Sequence, residues 1–193
     1  MSNIAKEYIP LLLPLKLNFE SKAVLKKLVI ANKALAELKG IAHTIPNQSI
    51  LINALALQEA KDSSEIENIV TTHDELYRSI VSTSNISNAA KEVKRYREAL
   101  YNGYEQVQDK KLLLKRDIVA MQGILEENNA GIRTQSGTAL KNTSTGEIIY
   151  MPPQNHSTIQ DLMDNLEHYI NDSGLDDNDP LVKMAMKKNE VKK

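Results

Sequence analysis

The sequence predicts a mainly helical fold with one short β-hairpin, and three observations carry that expectation. Apolar residues recur at helical spacing along most of the chain, as in Val24, Leu28, Ala31, Leu35 and Leu38. One stretch departs from that period. Between Gly131 and Pro153 two β-prone runs flank a glycine-containing turn, and Pro152-Pro153 stop the second run. Finally, 41% of the 193 residues are hydrophobic, enough for the core of one domain or one and a half.

The elements follow in order. A first helix is expected over about 20–39, with Gly40 as its stop. Pro46-Asn47 makes a turn, and a second helix, rich in strong helix formers, runs from about 49 to 67. Thr72-His73-Asp74-Glu75 has the form of a capping box opening a third, short helix through about Ile80. The small, polar run Val81 to Asn88 suits a boundary between two packing units. Past it, Val93, Tyr96, Leu100 and Tyr104 stripe a helix from Ala89 to about Gln108, and Leu112 to Glu127 makes another; both are expected to face a core. The hairpin is placed at about Gly137 to Tyr150. A helix from Ser157 to Asn171 carries Leu162, Leu166, Tyr169 and Ile170 on one side, and Asp179-Pro180 opens a last helix. The lysine-rich tail from Lys187 to Lys193 is expected to be disordered.

Composition narrows the function classes. A formal net charge of −1 gives no field of one sign, so nucleic acid is not an expected partner. The absence of cysteine excludes disulfides and thiolate metal sites. The apolar cluster Tyr8 to Leu15 is too short to span a membrane, is broken by two prolines and lacks the marks of a signal peptide, so a cytoplasmic protein with no membrane partner is expected. His156 and His168 stand twelve apart with Asp161, Asp164 and Glu167 between them; the usual ligand pair four apart is missing, and ordinary helix surface rather than a metal site is expected. Tyr96, Tyr101 and Tyr104 are read as helix interface rather than as a base-stacking platform.

The stretch SSEIEN, Ser63 to Asn68, is unusual in one respect. It places Glu67 in the last turn of a helix, where the negative end of the dipole disfavours an anion by about 0.3–1 kcal/mol. An ordinary solvated acidic end would absorb that cost, and so would a carboxylate with a cationic partner elsewhere. Ser63, four residues earlier, shares the face of Glu67, and Asn68 tolerates the left-handed backbone of a helix terminus.

Taken together, LPLKLNFESKAVLKKLVIANKALAELKG, EAKDSSEIENIVTTHDEL, GIRTQSGTALKNTSTGEIIYMPP and LMDNLEHYIND with DPLVKMAM occur in an order that resembles the Fic family of protein adenylyltransferases, which move AMP from ATP to protein hydroxyls. Alone, the serine-to-glutamate spacing arises by chance in roughly one chain in six; the order of all four segments is what gives it weight. The resemblance implies a helical Fic-like bundle with the hairpin as a flap. Residues 1–82 would be an N-terminal domain with an inhibitory helix, 83–186 the first part of the core including the flap at 137–150, and 187–193 the tail. It also implies site residues. Glu67 would reach an arginine of the nucleotide pocket and obstruct the ATP γ-phosphate, with Ser63 and Asn68 fixing its helix end; Ile148, Ile149 and Tyr150 would align a protein target by strand addition.

One part of the family's pattern is missing. The motif His-x-Phe-x-Asp/Glu-Gly-Asn-Gly-Arg, which supplies a base and an anion-holding loop, follows none of His43, His73, His156 or His168, and the only phenylalanine is Phe19. No catalytic residue is therefore assigned. The chain is expected to be inert by itself and to resemble a family member truncated before its catalytic helices; a complete member would use ATP and Mg²⁺, neither of which this chain is expected to hold tightly. Expected partners are a protein target at the flap or a separate Fic core inhibited in trans, as an antitoxin would do, and a homo-oligomer stays open. An unrelated helical scaffold is the remaining alternative.

Overall fold

The computed structural model describes residues 6–66, 68–72, 74–76 and 87–191, the last five by backbone alone. Among these residues the architecture is mainly helical, with α1 Lys22–Ala42, α2 Gln48–Ile66, α3 Asn88–Lys110, α4 Lys115–Glu126, α5 His156–Asn171 and α6 Pro180–Val191. The strands β1 Leu140–Lys141 and β2 Ile148–Tyr150 form one antiparallel pair. Contacts divide the chain into two compact units, Asn32–Gly131 and a second built from Met1–Ala31 with Ile132–Lys193. This is a division by compactness; the division by family segment at 82/83 is a different one and remains a proposal. None of the described helices is long and apolar enough to cross a membrane.

α1 does not stop at Gly40 as expected but runs on to Ala42. One glycine costs a helix about 1 kcal/mol, too little to end it. The stop comes from the next residues. The Thr44 N–H and hydroxyl both donate to the Ile41 carbonyl (2.9 and 2.7 Å), the Ile45 N–H donates to Ala42 (3.2 Å), and Pro46 disfavours a helical Ile45.

In the unit Asn32–Gly131, α3 packs against both α2 and α4. The core cluster is Leu57 and Ala60 of α2, Leu76, and Ala90 and Val93 of α3, with Tyr96 packed on it. It draws on residues from both sides of the polar run at 81–88. The expected bulky stripe on α3 is corrected: Val93 is buried, but Tyr104 is 40% exposed, and the buried line is Ala90, Val93, Ala99 and Gly103. Small residues let α3 and α4 approach. A Cβ on Gly103 would stand 2.5 Å from Met121 Sδ.

α4 starts at Lys115 rather than Leu112. Lys111 caps α3 in the left-handed conformation (φ 57°), donating its N–H to Val107, and Leu114 is the extended N-cap of α4. The buried carboxylate of Asp117 accepts from the Leu114 N–H (3.1 Å) and from Lys110 Nζ (2.9 Å). Lys110, first, holds that carboxyl below its usual range against the opposing effect of burial.

In the other unit, Leu13, Tyr169 and Met186 form a buried cluster, joined by Phe19, Leu166 and Val182 among others. The chain at Leu13, ahead of α1, is fixed to α5 by the Asn165 carboxamide, which accepts from the Leu13 N–H (2.8 Å) and donates to its carbonyl (2.9 Å). α5 begins at an Asn155 cap, and Asp179 Oδ1 accepts from the Leu181 N–H (2.8 Å) to open α6. α6 continues to Val191, into the lysine-rich run that was expected to be disordered. Lysine is a good helix former, and a helix already nucleated upstream propagates through such a run.

The hairpin is shorter than the expected 137–150. Leu140 opposes Tyr150 and Lys141 opposes Ile148, with an irregular register between them. Gly137 has φ +99° and its N–H donates to Gln154 Oε1 (2.7 Å), a side-chain contact where a longer strand would have a ladder bond. In the turn, Asn142 Oδ1 accepts from the N–H groups of Ser144 and Thr145 (2.8 and 3.1 Å), and Gly146 takes φ +71°.

A polar knot ties α5 to α6. Tyr169 Oη donates to Asp176 Oδ2 (2.7 Å), and Lys183 Nζ lies 2.9 Å from Asp176 Oδ1 and donates to the Asp176 carbonyl (2.9 Å). Burial alone would raise the Asp176 carboxyl, but hydrogen bonds from Lys183, Tyr169 and Asn178 outweigh it and hold it at about 2. Burial, then Asp176, push the Tyr169 phenol above its usual range. A carboxyl depressed on folding contributes stability above its unfolded value near 4 and loses it as pH falls toward 2. Asp176→Asn is accordingly expected to cost about 2 kcal/mol at pH 7 and about half as much at pH 3. Urea unfolding midpoints at the two pH values check this, an equal loss at both being the contrary result.

Candidate functional site

α2 is capped at its start by Asn47, whose Oδ1 accepts from the Ser49 N–H (3.0 Å). Its buried residues are Ala56, Leu57, Ala60 and Ser64, a line of small side chains at a spacing of four with Leu57 beside it. That line points the last turn of α2 into the core made with α3, while Arg97 Nη2 of α3 donates to Asn53 Oδ1 (2.6 Å) on an earlier turn.

The helix closes in a defined cap. Asn68 is left-handed (φ 63°), its N–H donates to the Glu65 carbonyl (3.1 Å), and the Ile69 N–H donates to the Ser64 carbonyl (3.0 Å). These two bonds, with a left-handed residue between helix and loop, form the Schellman pattern. Asn68 therefore stands where its tolerance of that conformation suggested. Glu67 lies outside the described residues. Ser63 turns its hydroxyl back along α2 to Glu59 Oε1 (3.0 Å), and Glu65 pairs with Lys61 at 3.2 Å while keeping 54% of its side chain exposed.

Past the cap the chain is secured twice. Thr72 Oγ1 accepts from the Glu75 N–H (3.2 Å), the first half of the expected capping box, and the Leu76 N–H donates to the Thr72 carbonyl (3.0 Å). The second half differs. The Glu75 carboxylate accepts instead from Thr71 Oγ1 (3.0 Å) and from the Ser87 N–H (3.2 Å), and hydrogen bonding with Ser87 and then Thr71 keeps its carboxyl below the usual range. Ser87 in turn caps α3, accepting from the Ala90 N–H (3.1 Å). Glu75 thus links the segment after α2 to the start of α3, a role the capping-box spacing did not disclose. His73 and the rest of the expected third helix, 77–80, lie outside the described residues.

Of the hairpin residues, Ile149 is 62% exposed, and Tyr150 is half-buried with its ring 5.9 Å from that of Tyr8. Tyr8 also donates its N–H to the Met151 carbonyl (2.8 Å), so the N-terminal segment flanks the end of β2. His156 Nδ1 lies 2.8 Å from the Arg133 carbonyl, which only a protonated Nδ1 can satisfy, leaving Nε2 to accept from Gln160 (3.2 Å). His168 faces Asp172 at 4.0 Å one turn on.

A comparison with known families gives one further finding. Residues 25–105 match the family model described as Fic/DOC family N-terminal. The matched span takes in most of α1, all of α2, the cap at Asn68 and α3 to Glu105; the hairpin lies beyond it.

Proposed function

From the match of residues 25–105 to the Fic/DOC family N-terminal region, we propose that the chain is the regulatory and target-positioning portion of a Fic-type protein adenylyltransferase, with α2 as an inhibitory helix. The observation that supports this best is the position of Ser63–Asn68: it falls inside the family match, at the end of a helix whose buried face and Schellman cap fix where its last turn points.

In this reading Glu67 meets an arginine of a nucleotide pocket. Transfer of AMP displaces pyrophosphate in line, so misplacing the γ-phosphate spoils the approach of the target hydroxyl without touching the reacting bond. The blocking carboxylate must sit on a fixed helix end to act in this way, because a frayed one would average over many positions. ATP and Mg²⁺ belong to the core that carries His-x-Phe-x-Asp/Glu-Gly-Asn-Gly-Arg, a motif absent from this sequence. Ile148, Ile149 and Tyr150 serve target alignment by strand addition, a role consistent with the exposure of Ile149 and Leu140.

Without a base and anion donors, the purified chain is expected to incorporate no label from AMP-labelled ATP with Mg²⁺ or Mn²⁺, into itself or into added protein. Incorporation that follows the chain through repeated purification would overturn the proposal. Added to a separate Fic core, the same chain separates two forms of the reading: slowing of the core at stoichiometric ratios is the antitoxin-like form, and no effect is the form in which region and core act within one polypeptide.

A further inference from the structure

A small pocket of about 210 Å³ opens beside the last turn of α2, lined by Ser63, Ser64, Glu92, Tyr96, Leu125 and Glu126. All six belong to the unit Asn32–Gly131. Ser64 is only 5% exposed, and among the described residues no hydrogen bond reaches its hydroxyl. The Tyr96 hydroxyl and the carboxylates of Glu92 and Glu126 likewise carry no hydrogen bond or ion pair among the described residues. Four residues with acceptor groups, two of them negatively charged, therefore line one cavity, and among the described residues no cation is paired with them. Arg95, on the same helix, is engaged by Glu127 at 2.7 Å.

We infer that this pocket binds a guanidinium group. The charge calls for a cation, and the acceptors call for one with several N–H donors. No group of three or more His, Cys, Asp or Glu among the described residues could hold a metal ion, which favours an organic cation. Between ammonium and guanidinium, the lining selects the second. A planar fork of five donors matches two carboxylates and two hydroxyls, and the aromatic Tyr96 and apolar Leu125 among the lining residues suit a guanidinium on an aliphatic stem. This inference does not depend on the family assignment.

Titration of the full chain with agmatine, followed by calorimetry and by amide shifts, tests it. Agmatine is expected to bind and to shift the amides of Ser64, Glu92 and Tyr96, with butylamine at least about tenfold weaker. Glu92→Gln and Glu126→Gln are each expected to weaken agmatine about tenfold, and Ser64→Ala a few fold. Glu92 is half-buried and Glu126 exposed, so these two variants should keep the wild-type melting temperature. A capped Gly-Arg-Gly peptide distinguishes the source of the group: binding of both ligands assigns an arginine side chain of a protein, and binding of agmatine alone assigns a free guanidine. No saturable binding of either, or agmatine binding unchanged in both glutamine variants, would overturn the inference.

Discussion

Glu67→Gly, in a protein that joins this region to a Fic catalytic core, is expected to raise the rate of AMP transfer about a hundredfold, while Glu65→Gly leaves it within about twofold. Removing one partner of a desolvated, hydrogen-bonded charge pair typically shifts its equilibrium by about 2–5 kcal/mol. The comparison controls for the backbone. Both changes put a glycine at or just past the end of α2, where a helix-interior glycine would cost about 1 kcal/mol at most, so any loosening of the helix is tested by both. On a helical course the two positions would stand about 160° apart, so the proposed blocking contact belongs to Glu67 and not to Glu65. Glu65 is half exposed and pairs with Lys61 within its own helix, an interaction of about 0.3–0.5 kcal/mol. Initial rates of labelled-AMP incorporation at saturating ATP decide the matter, and equal activation by both variants would mean that helix damage was being measured.

Leu76→Ala is expected to destabilise the unit Asn32–Gly131 by about 3 kcal/mol, lowering its melting temperature by about 12–24 °C. Leu76 is fully buried and packs with Leu57 and Ala60 of α2 and with Ala90 and Val93 of α3. Those neighbours stand on two helices and are themselves buried, so they cannot collapse far into the space left behind. Leu76 is also the apolar anchor of the segment that follows the Asn68 cap, where Thr72 and Glu75 supply the polar ones. Ile66→Ala is the control: Ile66 is 70% exposed on the same helix end and should cost about 0.5 kcal/mol or less. Thermal unfolding followed by circular dichroism reads both, and comparable losses would show that Leu76 is not the anchor.

The helices were legible because helical period is written directly in the apolar residues, and α2, α5 and the start of α6 lie within a residue or two of expectation. Their ends and faces were less so. Gly40 looked like a stop, but the stop belongs to Thr44 and Pro46, because a single exposed glycine is a weak signal beside a proline. The buried face of α3 differs from the bulky stripe because close helix packing selects the small residues, Ala90, Ala99 and Gly103. Ser64 follows the same logic: Ala56, Ala60 and Ser64 repeat at four and mark a narrow seam of small residues. The left-handed Asn68 was legible from residue type alone. The Glu75 link to Ser87 was not, since no local rule joins residues twelve apart across an intervening segment.

The most direct measurement of the proposed inhibitory role is the initial rate of AMP transfer by the same joined protein carrying Glu67→Gln, beside wild type and Glu67→Gly. The amide keeps the size and helix propensity of glutamate and removes only its charge. If the carboxylate acts by holding an arginine, Glu67→Gln should transfer AMP within about fivefold of Glu67→Gly and far faster than wild type. A Glu67→Gln protein as slow as wild type would contradict the role assigned to the end of α2.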